Sequence, residues 1–193
     1  MQTRHLLAAA VAVALTGGFA GAEIERQHAP HVHGVAAGNL TVDGTDLRLE
    51  LEIPGVNLVG FEHAPRTEEQ QAALDDTLRY LRAVEWVAAD PGGECEFASI
   101  NAHTHGFDDA EHDHDHDHDH DHDHSHDHSH DHDHAEFHIV VHLDCESPNR
   151  LGWLDLHLFD DFPGNERMDI DVLTDTLASQ VRLTPGSERI QLR

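Results

Sequence analysis

Every second residue between His112 and His134 is a histidine. This segment contains twelve histidines, nine aspartates and two serines, and it has no apolar side chain. Because it cannot contribute to a hydrophobic core, we expect it to be disordered. Neutral imidazole binds Zn2+, Ni2+, Cu2+ and Co2+, and the aspartates add oxygen ligands and offset the charge of each cation. The pattern predicts metal binding, and its candidate ligands are His112, His114, His116, His118, His120, His122, His124, His126, His128, His130, His132 and His134.

Two other interpretations of this segment stay open. It would also suit a solvated acidic linker, or a pH-sensing segment, since neighbouring carboxylates raise the pKa of an imidazole. Twelve imidazoles on one flexible segment nevertheless chelate metal ions. At about four ligands per tetrahedral ion the segment would hold about three ions, and protons would weaken that binding below about pH 6.

A tighter site requires ligands that folded strands hold in place. Residues i and i+2 of a strand share one face, so a His-x-His pair directs two imidazoles at one ion. His31 and His33 are the first choice, because the neighbouring proline and glycine disfavour a helix, and His28 is close enough to add a ligand. Each such pair is equally consistent with histidines that lie on the surface or form a hydrogen bond and do not bind metal. The remaining candidates are His103 with His105, His138 with His142, Glu62 with His63, and Asp155 with His157.

The first 22 residues have the pattern of a secretory signal peptide. Basic side chains precede an apolar stretch at 6–15, and small residues at 20–22 form an A-x-A cleavage motif. We expect cleavage after Ala22 and export to a bacterial periplasm. The apolar stretch is too short to span a membrane, and no cysteine for lipid attachment follows it, so we predict no membrane anchor.

Acidic residues are in excess in the folded part too, and not only in the histidine-rich segment. The formal net charge is −27, and setting aside the nine aspartates of the segment still leaves 29 acidic against 11 basic residues. Such a surface repels phosphates, which argues against nucleic acid or anionic membranes as partners.

Two isolated cysteines, Cys95 and Cys145, lie on either side of the histidine-rich segment. In an oxidising compartment such a pair most often forms a disulfide, with thiolate metal ligation as the alternative. A disulfide would close a loop of about 50 residues and tie its neck, stabilising the fold by about 4 kcal/mol of chain entropy.

The elements that position these side chains are predicted to be mostly β-strands. Residues 38–54 alternate around an Asp43-Gly44 turn and predict a hairpin; residues 55–66 look irregular. A capping box at 67–70 starts a helix to about residue 86. Further strands are predicted at 95–105, 137–145, 152–159, 168–173, 178–183 and 190–192.

These elements predict a β-rich α+β fold. We expect a single domain, residues 23–193, of short antiparallel strands in a sandwich-like arrangement with one main helix. The strands on either side of the histidine-rich segment would pair, which places a long disordered loop, about residues 106–135, at a hairpin tip.

Four segments together resemble the ZrgA family of periplasmic zinc-uptake accessory proteins: residues 28–34, residues 57–65 with the tripeptide Gly60-Phe61-Glu62, the histidine-rich segment, and residues 158–164. The resemblance covers nearly the whole mature chain. It implies that the protein binds Zn2+ and helps to supply an ATP-driven zinc importer, with that ABC transporter or its solute-binding protein as partner. The resemblance implies that the polar motifs of the family correspond to His31, His33, Glu62 and His63 in this sequence.

The leading hypothesis is therefore a periplasmic Zn2+-binding protein that assists zinc uptake. A periplasmic buffer or storage protein for nickel, copper or cobalt is the alternative, because the spacing does not exclude those ions. A zinc hydrolase would need an open three-ligand site and a general base, and no H-E-x-x-H motif occurs, so we predict no enzyme. A bilobed solute-binding protein would need more chain and more helices.

Overall fold

The computed structural model describes residues 32–108 and 134–193. The predicted signal peptide, His28, His31 and the loop histidines from His112 to His132 lie outside the described residues. The described part contains nine strands and two α-helices: β1 Val35–Asp43, β2 Asp46–Pro54, α1 Gly55–Val59, α2 Glu68–Ala83, β3 Val87–Ala89, β4 Cys95–His105, β5 Glu136–Cys145, β6 Trp153–Leu156, β7 Arg167–Leu173, β8 Ala178–Leu183 and β9 Arg189–Gln191.

The strands form two sheets, a six-stranded one in the order β4-β5-β2-β1-β7-β8 and a three-stranded one in the order β3-β6-β9. The predicted hairpin is confirmed, and Gly44 takes a left-handed φ of 57° in its turn. All pairings are antiparallel except β1 with β7, which is parallel. The predicted β-rich fold with one main helix is confirmed.

The alternation of side chains along the large sheet separates an apolar from a polar face. Leu49, Leu51 and Ile139 are fully buried, and residues of both sheets and of α2 join them in one hydrophobic core. The opposite face carries charged and histidine side chains. None of the helices in the described ranges is long and apolar enough to cross a membrane.

The hairpin β4–β5 carries the histidine-rich segment between its strands, as predicted. Cys95 lies opposite Cys145, and the two form a disulfide bond. This bond closes the predicted loop of 50 residues, and the full length of the strand pair separates it from His105 and Glu136. It closes the opposite end of the hairpin.

The helical regions differ from the prediction in two places. Residues 55–66, expected to be irregular, begin with the short helix α1, which Gly60 ends with a left-handed φ of 82°. Helix α2 begins as predicted, since Thr67 accepts a hydrogen bond from Gln70 N at 3.2 Å. It ends before residue 86 because Val84 is left-handed, which turns the chain and buries Trp86 in the core.

Candidate metal centre

Glu62 lies where α1 meets the loop end of the large sheet. Phe61 packs edge-on against Phe107, with ring centroids 5.7 Å apart, and this contact anchors the segment after α1. The Glu62 side chain is only 12% exposed. Its Oε2 accepts hydrogen bonds from His33 Nε2 at 3.2 Å and from His134 Nδ1 at 3.1 Å. One carboxylate oxygen thus brings together imidazoles from distant parts of the chain.

The backbone beside His33 is fixed by buried hydrogen bonds. Gly34 N donates to Asn57 Oδ1 at 2.8 Å, and Asn57 Nδ2 donates to Asn165 Oδ1 at 3.1 Å. Gly34 O accepts from the backbone N–H of Glu166 at 2.8 Å. Since Asn57 belongs to α1, it ties the segment of His33 to the helix that leads to Glu62, while the His33 side chain stays 66% exposed.

His134 is positioned by its neighbour. Gly55 N, at the start of α1, donates a hydrogen bond to Ala135 O at 2.7 Å. A Cβ at Gly55 would lie 2.5 Å from Phe107 Cζ and 2.9 Å from Ala135 O, so this close approach requires glycine. Helix α1 therefore holds both Glu62 and the C-terminal arm of the loop.

His63 lies beside this group but points its Nδ1 elsewhere. Its ring stacks on Phe61 with centroids 5.2 Å apart, and Nδ1 lies 2.8 Å from Ala64 O. A carbonyl oxygen can only accept, so Nδ1 carries the proton, and Nε2 of the neutral ring keeps a lone pair for a metal ion.

A second group of histidines lies on the polar face of the sheet. The rings of His103 and His138 stack across β4 and β5, with centroids 5.4 Å apart. His138 Nε2 contacts Glu136 Oε1, and the Glu136 side chain is buried. That hydrogen bond is the main reason why the pKa of His138 is raised, against the opposing effect of burial. His105 lies opposite Glu136 on β4.

Two predicted pairs are not brought together around a common point. His142 contacts Asp46 Oδ1 at 3.4 Å, whereas His138 is held by Glu136. Asp155 accepts two hydrogen bonds of 2.7 Å from Arg189, which lower the pKa of the carboxyl group. His157 lies beyond the end of β6 and contacts Glu188 instead, at 3.0 Å.

The two contacts of Glu62 Oε2 have the length of ordinary hydrogen bonds, and this length is also compatible with later metal ligation. Ligand atoms about 2.0–2.1 Å from a tetrahedral Zn2+ are about 3.3 Å apart, close to the two distances at Glu62 Oε2. The other oxygen, Oε1, is buried and has no hydrogen-bond partner within the described residues. Nowhere in residues 32–108 and 134–193 do three potential ligands already surround one point. A metal ion would therefore have to draw these side chains together.

Some residues of these groups escape sequence reasoning. Glu136 precedes His138 by two positions, so its place on the same strand face was the available signal. Asn57 and Asn165 form a buried hydrogen bond although they are 108 residues apart in the sequence. No local sequence pattern predicts such a contact.

The comparison with protein families gives one match. A family model described as ZrgA family zinc uptake protein matches residues 30–192, which include every group described above. No curated protein matches the chain.

Proposed function

Because this chain belongs to the ZrgA family of zinc uptake proteins, we propose that it captures Zn2+ in the periplasm and supplies it to an ATP-driven importer. Zinc is then the cargo of the protein. The observation that carries the proposal is the nearly buried Glu62 carboxylate, which two imidazoles already contact through a single oxygen.

In this proposal Glu62, His33 and His134 bind the ion, and His63, which follows Glu62 in the sequence, is a further candidate. One carboxylate oxygen with imidazole nitrogens is a ligand set that Zn2+ favours. On binding, the nitrogens that now donate to Glu62 must give up their protons, since the metal needs their lone pairs. The ion would replace two hydrogen bonds and give the buried carboxylate a positive partner.

The histidine-rich segment would serve as the capture element. His134 is its last histidine and also contacts Glu62, so the segment is joined directly to the proposed site. Its other imidazoles form sites without needing the fold, and we expect these sites to be numerous and weak. Metal held there would be retained near the tighter site.

The proposed compartment is supported by two features. The disulfide between Cys95 and Cys145 is of a kind that persists in oxidising compartments. The first 22 residues carry the signal-peptide pattern. Residues 23–193 would then form the mature zinc-binding domain.

The site is tested by measuring Zn2+ affinity of the mature chain in competition with a chromophoric chelator. Glu62→Gln removes the negative ligand, so the Kd of the tightest site should rise at least about tenfold. Glu188→Gln is the matched control, because Glu188 is 16% exposed and also contacts one histidine. An unchanged tight site in Glu62→Gln would refute the assignment.

The uptake role is tested by growth of a deletion strain. The strain should grow poorly when a chelator removes zinc and normally in metal excess. The reverse pattern would favour a buffer for surplus nickel, copper or cobalt, and would refute zinc supply.

A further inference from the structure

We propose that a second site for a divalent transition-metal ion lies on the polar face of the large sheet, built from His103, His105 and His138, with Glu136 orienting His138. These four side chains are called the strand quartet. The quartet shares no residue with the Glu62 group. The identity of its metal as zinc rests on the proposed function, but its existence does not.

The register of β4 and β5 brings the quartet together. His103 lies opposite His138, and His105 lies opposite Glu136, so the four residues form two adjacent cross-strand rows on one face. Directly opposite residues have Cβ atoms about 4.5–5.5 Å apart, and the rows are about 7 Å apart along the strand. Because the rings of His103 and His138 are stacked, binding one ion would require these side chains to rotate toward a common point.

The hydrogen bonds of His103 and His138 leave one nitrogen of each neutral ring with a lone pair. His103 Nδ1 lies 3.2 Å from Asn101 Oδ1, an acceptor, so Nδ1 carries the proton and Nε2 can bind metal. In His138, Nε2 donates to Glu136 Oε1, which leaves Nδ1 as the ligand atom of the neutral ring. A carboxylate that fixes the far nitrogen of a ligating histidine is a common partner in zinc sites.

The surroundings favour a cation. Glu52 of β2 lies opposite His138 on its other side, so a second carboxylate is next to the site. His103 and His105 are exposed and give an ion access from solvent. His105 ends β4 and Glu136 begins β5, so the quartet lies at the end of the strand pair from which the intervening residues continue.

The test measures the rise in Tm that Zn2+ causes in the mature chain. Ions bound by the histidine-rich segment bind folded and unfolded chains alike and change Tm little, whereas folded sites raise it. His103→Gln should reduce this rise and weaken the corresponding site at least tenfold, both alone and combined with Glu62→Gln. His142→Gln, on the same face of β5, is the control and should leave the rise unchanged.

The outcomes separate the two sites. If Glu62→Gln alone removes the whole rise, the quartet is not a site, although the proposed function stands. If Glu62→Gln leaves the rise intact and His103→Gln removes it, the quartet is supported and the Glu62 site is refuted. Equal losses in His103→Gln and His142→Gln would overturn the proposal. His105→Gln provides an independent variant should the metal-free Tm of His103→Gln fall.

Discussion

At the scale of single residues, the position of His33 depends on the buried side-chain amide of Asn57 in α1. Asn57 Oδ1 accepts from Gly34 N, so the α1 side chain determines where the backbone next to His33 lies. An exposed imidazole gains nothing from its own packing. Its usefulness as a ligand therefore depends on the buried hydrogen bond behind it, because a ligand held in place loses less entropy when the ion binds.

Asn57→Ala should weaken both the fold and the zinc site. It leaves Gly34 N without its buried acceptor, which costs about 1–3 kcal/mol, and frees the segment of His33. We expect a lower metal-free Tm and a weaker tight site in chelator competition. Asn165→Ala is the control, since it removes the amide pair but keeps the bond to Gly34. If both variants lost zinc affinity equally, the bond to Gly34 would not position His33.

The sequence allowed His33, Glu62 and His63 to be proposed as ligands, but not their partners. Strand periodicity predicts His31 as the companion of His33, and His31 lies outside the described residues. Glu62 instead contacts His134, which is 72 residues away. Such a contact depends on how α1 packs against the loop arm, and local spacing carries no information about it.

At the scale of elements, the hairpin β4–β5 carries its stabilising crosslink and its candidate metal ligands at opposite ends. The disulfide lies at one end, and the quartet and the loop lie at the other, with ten paired positions along the strands. A crosslink at Cys95 and Cys145 restricts the unfolded chain whichever groups occupy the far end.

Replacing both cysteines, Cys95→Ser with Cys145→Ser, should therefore lower stability but spare zinc binding. The chain-entropy estimate for a separation of 50 residues is about 4 kcal/mol. We expect a clearly lower midpoint in urea unfolding, and the same zinc-induced rise in Tm as in the unaltered chain. Loss of that rise would show that the crosslink also shapes the metal-binding end.

The small sheet should show a pH-dependent stability. Arg189 lowers the pKa of Asp155 by hydrogen bonding, across the pairing of β6 with β9. Because the pKa of Asp155 is lower in the folded than in the unfolded chain, its ionised form stabilises the fold fully at pH values above the unfolded-state pKa of about 3.9. This stabilisation is lost as the pH falls through the folded-state pKa. Asp155→Asn should thus lower Tm at pH 7 by about 5 °C, and the difference should shrink below about pH 4.

The control for this pair is Asp171→Asn, because Asp171 accepts its hydrogen bond from the neutral Gln180. Its Tm should follow that of the unaltered chain at each pH. A difference for Asp155→Asn that stayed constant from pH 7 to pH 3 would contradict an ionic origin.

Elements with strong local signals were predicted well. The alternation in 38–54 and in 137–145, the Thr67 cap and the two cysteines each depend on a few neighbouring residues. The parallel pairing of β1 with β7 joins residues more than 120 positions apart, and β3 has three residues. Long-range pairing leaves no local pattern, and the sequence Val-Ala-Ala of β3 has no alternation of apolar and polar residues, so the sequence revealed neither.

At the scale of the whole molecule, the proposed function divides zinc binding between the histidine-rich segment and the folded domain. The acidic surface, with a formal net charge of −27, raises the local concentration of cations around both. The candidate ligands of the segment are neighbours in sequence. Those of the Glu62 group and of the quartet come together only when α1, β4 and β5 have folded.

Unfolding should therefore remove the tight sites and keep the weak ones. We expect the native mature chain to show a tight class and a weaker class in competition with chelators of graded affinity. In concentrated urea the tight class should disappear, while the weaker class keeps its affinity, because alternating histidines need no tertiary structure. The Cys95→Ser, Cys145→Ser chain must be measured alongside, so that free thiolates do not add ligands after reduction. Tight binding that survived urea would place the selective site within the histidine-rich segment itself.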